Sequence, residues 1–243
     1  GGEWSVVVFV ISLATVILPN LSRQFSRVDK TAFSETLDWA LRLVLMIAVP
    51  AALALDLLAT PLLATIFLYG EFGQHDLAMA SESLVAYSFG LIAFILIKIL
   101  APAYFSRQDT KTPVKIGIVA LLVNLALNLL LMGPMGHTGL ALATSIAAFV
   151  NADLLYLGLK RRDVYQSQTR WGLLSVKVML SSGSMCAVLF YLNNYFGDWY
   201  SSSVLNRVAI LGVLVLVGAA TYFLTLFMFG LRKKDALPPA SAV

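Results

Sequence analysis

Apolar residues in this chain neither alternate nor recur at one helical face; they run together in blocks separated by short polar stretches. Seven such blocks span residues 5–21, 37–58, 84–104, 114–132, 139–159, 173–195 and 204–230. Each is near the ~20 residues that a helix rising 1.5 Å per residue needs to cross ~30 Å of hydrocarbon. The pattern predicts an all-α fold, a polytopic transmembrane helical bundle of seven spans. The second block is followed by Pro61 and more apolar residues up to Tyr69. That stretch reads either as a kinked continuation or as a short interfacial helix.

The polar stretches sort by charge. Arg23, Arg27 and Lys30 follow the first block, with Arg42 just inside the second. Residues 70–80 carry Glu71 and Asp76 but no lysine or arginine, and the next loop carries Arg107, Lys111 and Lys115. The fourth and fifth blocks are joined only by Gly133–Thr138. Lys160, Arg161, Arg162 and Arg170 then precede the sixth block, which has Lys177 just inside it, and Arg232, Lys233 and Lys234 close the last. Of 17 Lys/Arg, fifteen fall on one side and only Arg207 on the other, while Lys98 lies within a span. So lopsided a split predicts that the basic side is cytoplasmic, the chain's start external and its C-terminus internal. Tyr195, Phe196, Trp199 and Tyr200 read as an aromatic belt at the outer interface.

Composition agrees: 59% hydrophobic and 12% charged residues depart far from a soluble domain, where charged residues approach a quarter. The single cysteine, Cys186, excludes a disulfide framework or a thiolate metal cluster. The net charge of +4 lies in loops between spans, so it points to membrane orientation and not to nucleic acid. The chain begins Gly1-Gly2 without a methionine and enters an apolar run directly, as a fragment or processed form would. No cleavable signal peptide is visible.

Enzymatic chemistry finds little to work with. His75 and His137 fall in outer loops, and neither a His-Glu-x-x-His zinc motif nor a Gly-x-Ser-x-Gly nucleophile turn occurs. Ser181, Ser182 and Ser184 around Gly183 read as small residues at a helix contact. The chain is therefore read as no enzyme. Ionisable groups within spans matter more, because they are costly there. Lys98 either snorkels to the cytoplasmic interface or faces a substrate. Asp153 is expected to pair with Lys98 or Arg161, Asp56 to meet interfacial solvent, and Arg42 to anchor topology or line a cavity mouth. Pro50 is the expected site of a functional bend; Pro113 starts the fourth span.

Asn124 and Asn128, four residues apart, share one helical face. The short connection to the fifth span brings that face toward Thr144. Interhelical hydrogen bonding is one reading; an all-oxygen site for a small cation such as sodium is the other.

The run APAYFSRQDTKTPVKI at residues 101–116 resembles the signature between helices ten and eleven of the MurJ/MviN family. Those proteins are lipid II flippases of the MOP transporter superfamily. ISLATVILPNLSRQ resembles the family's eighth helix, LDWALRL its ninth, and VNLALNLLLMGPMGHTGLALATS its eleventh-to-twelfth hairpin. The likeness runs from about Glu3 to Tyr156 and fades over the last two spans.

The resemblance implies a C-terminal half, with residues 1–160 in the second transporter lobe and 161–231 forming two helices with a groove for a polyprenyl tail. Residues 232–243 would be a cytoplasmic tail. It implies alternating-access translocation of lipid II across the bacterial inner membrane, with an N-terminal lobe and membrane lipids as partners. No cofactor is implied beyond Na+ or H+ as coupling ion. Glu3 matches an acidic residue at the cavity edge, and Asn124, Asn128 and Thr144 fall where the family's coupling-ion site has been proposed. Arg42, Lys98, Arg107, Lys111 and Lys115 are the candidates for the cavity or its cytoplasmic mouth. An anionic diphosphate crossing a bilayer needs such fixed positive charge, although most of the family's cavity arginines belong to the other lobe. Alternative readings are another MOP exporter, of polysaccharide-linked lipids or drugs, or a non-transporting scaffold of cell-wall synthesis.

Overall fold

A computed structural model describes residues 30–167, 169–197, 203–231 and 239. The first predicted span, Glu3, and the belt residues Trp199 and Tyr200 lie outside them. The described residues form six helices: α1 (Lys30–Phe67), α2 (Gln74–Ser106), α3 (Lys111–Met135), α4 (His137–Arg161), α5 (Trp171–Phe196) and α6 (Val204–Met228). All six are long and apolar enough to cross a membrane.

The helices run past the apolar blocks that announce them. α1 is continuous through Pro50 and Pro61, so the stretch up to Phe67 continues the second span. At 38 residues it measures about 57 Å, well over the hydrocarbon thickness. α2 starts at Gln74, inside the expected loop. The connection between the fourth and fifth spans shrinks to Gly136, whose φ of 60° turns the chain where a side chain would be strained.

Pro50 has no N–H to bond the carbonyl of Met46 one turn back. The hydroxyl of Tyr222, itself 2% exposed, donates to that carbonyl instead. The gap in α1's ladder is thus filled from α6, and Pro50 marks a docking point between the two helices.

Small residues decide which helices touch. α2 buries Ser81, Ala86, Ser88, Gly90 and Ala93. α4 buries Gly139, Ala141, Ala143, Ser145, Ala147, Ala148 and Ala152. With lipid as apolar as leucine, close approach of backbones is what favours one helix contact over another. A Cβ on Gly90 would lie 2.6 Å from Ser145 Oγ and 2.9 Å from its Cα, while Ser145 Oγ donates to the Ala86 carbonyl at 2.7 Å. At the basic end Tyr104 Oη donates to the Leu155 carbonyl at 2.6 Å, over a glycine, Gly158, where a Cβ would clash at 2.2 Å.

Around this seam α1 packs on α2, and α3 on α4; α5 and α6 pack on each other and on α1. α1 is thus shared by both groups. α3 buries only Ala120 and turns most of its surface outward.

Candidate functional site

The loop between α2 and α3 is built as a clamp. Asp109 Oδ1 accepts the Thr112 amide at 3.0 Å and caps the first turn of α3, where the donors of a helix are unsatisfied. Its other oxygen pairs with Arg162 at 2.6 Å, and Arg162 also donates to Thr112 Oγ1 at 3.0 Å. The same guanidinium sits 5.6 Å from the Tyr104 ring centroid. Hydrogen bonds from Thr112 and Arg162 hold the Asp109 carboxyl well below its usual range. The bond to Asp109 in turn raises Arg162. Part of the loop's charge is therefore structural. Arg107 stacks over Phe33 of α1 at 6.0 Å, whereas Lys111 and Lys115 are exposed and have no ion-pair partner among the described residues.

Arg42 faces elsewhere. Phe33 and Arg42 are nine residues apart, two and a half turns, and so on opposite sides of α1. Arg42 lines a cavity of about 420 Å³ with Glu35, Asp38 and Met46 of α1, Thr169 and Arg170 of the α4–α5 loop, and Leu173, Leu174 and Lys177 of α5. Leu231 and Pro239 complete the wall.

The loop is lashed to α1 beside this cavity. Ser34 Oγ donates to the Gln166 carbonyl at 3.0 Å and accepts its amide at 2.9 Å. Buried Asp38 accepts Tyr165 Oη at 2.6 Å, Ser167 Oγ at 3.4 Å and the Thr169 hydroxyl. Burial, then the bond to Asp38, pushes the Tyr165 phenol up. Sequence reading missed Asp38, whose partners lie about 130 residues away.

The cation candidates are therefore not one cluster: Arg42 sits beside α5, and Arg107, Lys111 and Lys115 at the α2–α3 turn. Lys98 is exposed on α2. Asp153 is also exposed and pairs with neither Lys98 nor Arg161, because its side chain turns away from the packed face of α4. Asp56 accepts the Ser88 hydroxyl of α2, so a helix contact, and not solvent alone, holds it. Arg207, the lone basic residue of the opposite side, is 5% exposed. It donates to the carbonyls of Ala64 and Leu68 at 3.2 and 3.1 Å and lies 5.9 Å from the Tyr69 ring centroid. It satisfies the end of α1, where a cation meets the negative pole of the helix.

Asn124 and Asn128 lie on the half-buried stripe of α3, and the Oδ1 atoms of both are buried with no hydrogen-bond partner. Thr144 Oγ1 on α4 donates to the Leu140 carbonyl at 3.0 Å, which leaves its lone pairs as acceptors. Neither amide oxygen therefore makes the interhelical hydrogen bond to Thr144 that one reading expects. No group of three or more His, Cys, Asp or Glu side chains that could hold a metal ion occurs among the described residues.

These features define a multi-pass helical membrane protein with one basic face. The solved structure entitled "Lipid II flippase MurJ, inward closed conformation" has the same fold: TM-score 0.72 at 24% identity, covering 92% of this chain and 44% of that one.

The chain belongs to the lipid II flippase MurJ family, whose model matches residues 3–232; the family description is that of a transporter and not of an enzyme. Among similar proteins, the probable lipid II flippase MurJ of Vibrio cholerae is 41% identical over 96% of this chain. That of Haemophilus influenzae is 40% identical over 97%, and the lipid II flippase MurJ of Burkholderia cenocepacia 37% over 95%. The chain spans less than half the length of each: 44%, 47% and 45%.

Proposed function

We propose that the protein carrying this chain moves lipid II from the cytoplasmic to the periplasmic leaflet of the bacterial inner membrane, and that this chain supplies its C-terminal half. The observation that carries the reading is the family match across nearly the whole chain, together with relatives named for that substrate. The basic face is cytoplasmic, as is the C-terminus, because lysine and arginine are retained on that side. Two lobes alternate in opening a central cavity to either leaflet. The outward surface of α3 and the exposed Lys98 side of α2 are where an N-terminal lobe would sit, and α5 and α6 supply an apolar path for the polyprenyl tail.

Lys98, Lys111 and Lys115 are not engaged in ion pairs within the described residues and are the cations free to meet the diphosphate. Arg107 flanks them at the α2–α3 turn, Arg42 stands apart beside α5, and Glu3 belongs to the cavity edge. Sodium, as coupling ion, would be held by the Asn124 and Asn128 amide oxygens and the Thr144 hydroxyl.

The test is flipping of lipid II by the full-length protein in proteoliposomes. Replacing Lys98, Arg107 and Lys111 with alanine should lower the rate about tenfold or more, the effect of removing charge-assisted bonds, while insertion stays normal. Unchanged flipping would reduce these residues to topology anchors. Export of a polysaccharide-linked lipid or a cationic drug in place of lipid II would overturn the substrate assignment. Absence of transport by a protein that still recruits cell-wall enzymes would favour the scaffold. Asn124→Leu and Asn128→Leu should abolish any sodium dependence of the rate.

A further inference from the structure

We propose that the cavity beside Arg42 binds the phosphodiester head group of a membrane phospholipid in the leaflet at the basic face. Three cations converge there from separate segments: Arg42 from α1, Arg170 from the α4–α5 loop and Lys177 from α5. Arg170 immediately precedes α5 and Lys177 lies in its second turn.

These cations are not held by the nearest acid. Asp38 stands one turn before Arg42, yet its oxygens receive the hydroxyls of Tyr165, Ser167 and Thr169, and it forms no ion pair with Arg42 among the described residues. Arg42 Nε is sealed from solvent without a hydrogen-bond partner. A donor in that condition is paired by something outside the chain far more often than left empty. α5 also begins here with no side-chain cap, adding the partial positive charge of its first turn.

Charge and shape select the ligand. Among the described lining residues three cations stand against Glu35 and Asp38, and Asp38 is taken up by hydroxyl donors, so the lining favours an anion such as a phosphodiester. The volume of about 420 Å³ accommodates a head group and not a macromolecule. One wall is apolar, made of Met46, Leu173, Leu174 and Leu231. From Leu173 an exposed stripe continues along α5 through Val176 and Leu180, each more than half exposed. This gives an acyl chain a continuous path from the cavity into the bilayer, which a free phosphate does not need. The proposal does not rest on lipid II flipping, and its failure would leave that reading untouched.

The experiment is a thermal-shift titration, with native mass spectrometry, of the delipidated full-length protein in maltoside detergent. Phosphatidylglycerol, diacylglycerol and inorganic phosphate are added separately. Phosphatidylglycerol should raise Tm and remain bound, whereas diacylglycerol should do neither. Arg42→Gln and Lys177→Gln should each weaken retention about tenfold, the loss expected for one charged hydrogen bond. Lys177 is only half-buried, so its variant decides the outcome should Arg42→Gln fold poorly. Lys160→Gln with Arg161→Gln, on the same face but away from the cavity, should change nothing. Equal retention of diacylglycerol, or equal loss in the Lys160/Arg161 variant, would overturn the proposal. Full stabilisation by inorganic phosphate alone would assign the site to a free anion and overturn the lipid source.

Discussion

Tyr222 is where the packing of α6 against α1 can be measured. Its hydroxyl reaches the Met46 carbonyl, the group that Pro50 leaves without its usual i→i−4 donor. Tyr222→Phe keeps the ring and its packing but removes the only described donor to that oxygen. A buried carbonyl left unsatisfied costs about 1–3 kcal/mol, and measured interhelical bonds in membranes average about 0.6 kcal/mol. The absence of a backbone alternative in α1 places the expected loss above that average, at about 1–2 kcal/mol. The deciding measurement is a double-mutant cycle. Pro50→Ala restores an N–H that Met46 can use, so Tyr222→Phe in that background should cost less by about 1 kcal/mol, the coupling expected of groups sharing one acceptor. Equilibrium unfolding by denaturing detergent in mixed micelles supplies the free energies. If Tyr222→Phe costs the same with alanine as with proline at position 50, the ladder-filling role is refuted.

Two further outcomes follow from the contacts. Gly90→Ala should force α2 and α4 apart, since its Cβ would meet Ser145 backbone at 2.9 Å; overpacking of this kind costs about 1–3 kcal/mol. Gly183→Ala, where a Cβ meets nothing within 4 Å, should be neutral or slightly stabilising, and the two are compared by thermal unfolding. The Asp109–Arg162 clamp has a pH signature: the Asp109 pKa is depressed in the folded chain from an ordinary value of 3.8. Its contribution is complete above that value and is lost as pH falls through the lower folded one. The stability gap between wild type and Asp109→Asn should be constant from pH 8 to about 5 and shrink below about 3.8. A gap that already narrows at pH 6 would show that another group governs the clamp.

The membrane class and the six described spans are legible in the sequence because they depend on sums over residues. Hydropathy adds along a window and loop charges add across loops, and neither requires knowing which residue faces which. The family resemblance is legible for a similar reason, since the Ala101–Ile116 wording is local. The Gly136 hairpin is readable because a short connection leaves two helices no alternative to packing together. Ser181 and Ser182, read as small residues for a helix contact, are both fully buried.

Partners distant in sequence are not legible in this way. Position along the chain points Asp153 to Lys98 or Arg161, yet the ion pair that forms joins Asp109 to Arg162, 53 residues on. Asp38 meets the loop that precedes α5, and Arg207, the one cation assigned to the opposite side, is buried against the end of α1. The physical cause is that a helix surrounded by lipid and by other helices is apolar on every side, so periodicity does not reveal its contact face. That face is chosen by the fit of glycines, alanines and serines across a seam and by the need to satisfy a few buried polar atoms. Residue order alone suffices for a basic-faced helical membrane bundle. That Tyr222 answers Pro50, that Gly90 meets Ser145, and that Arg42 opens on a cavity and not on the α2–α3 loop are settled where the helices meet in three dimensions.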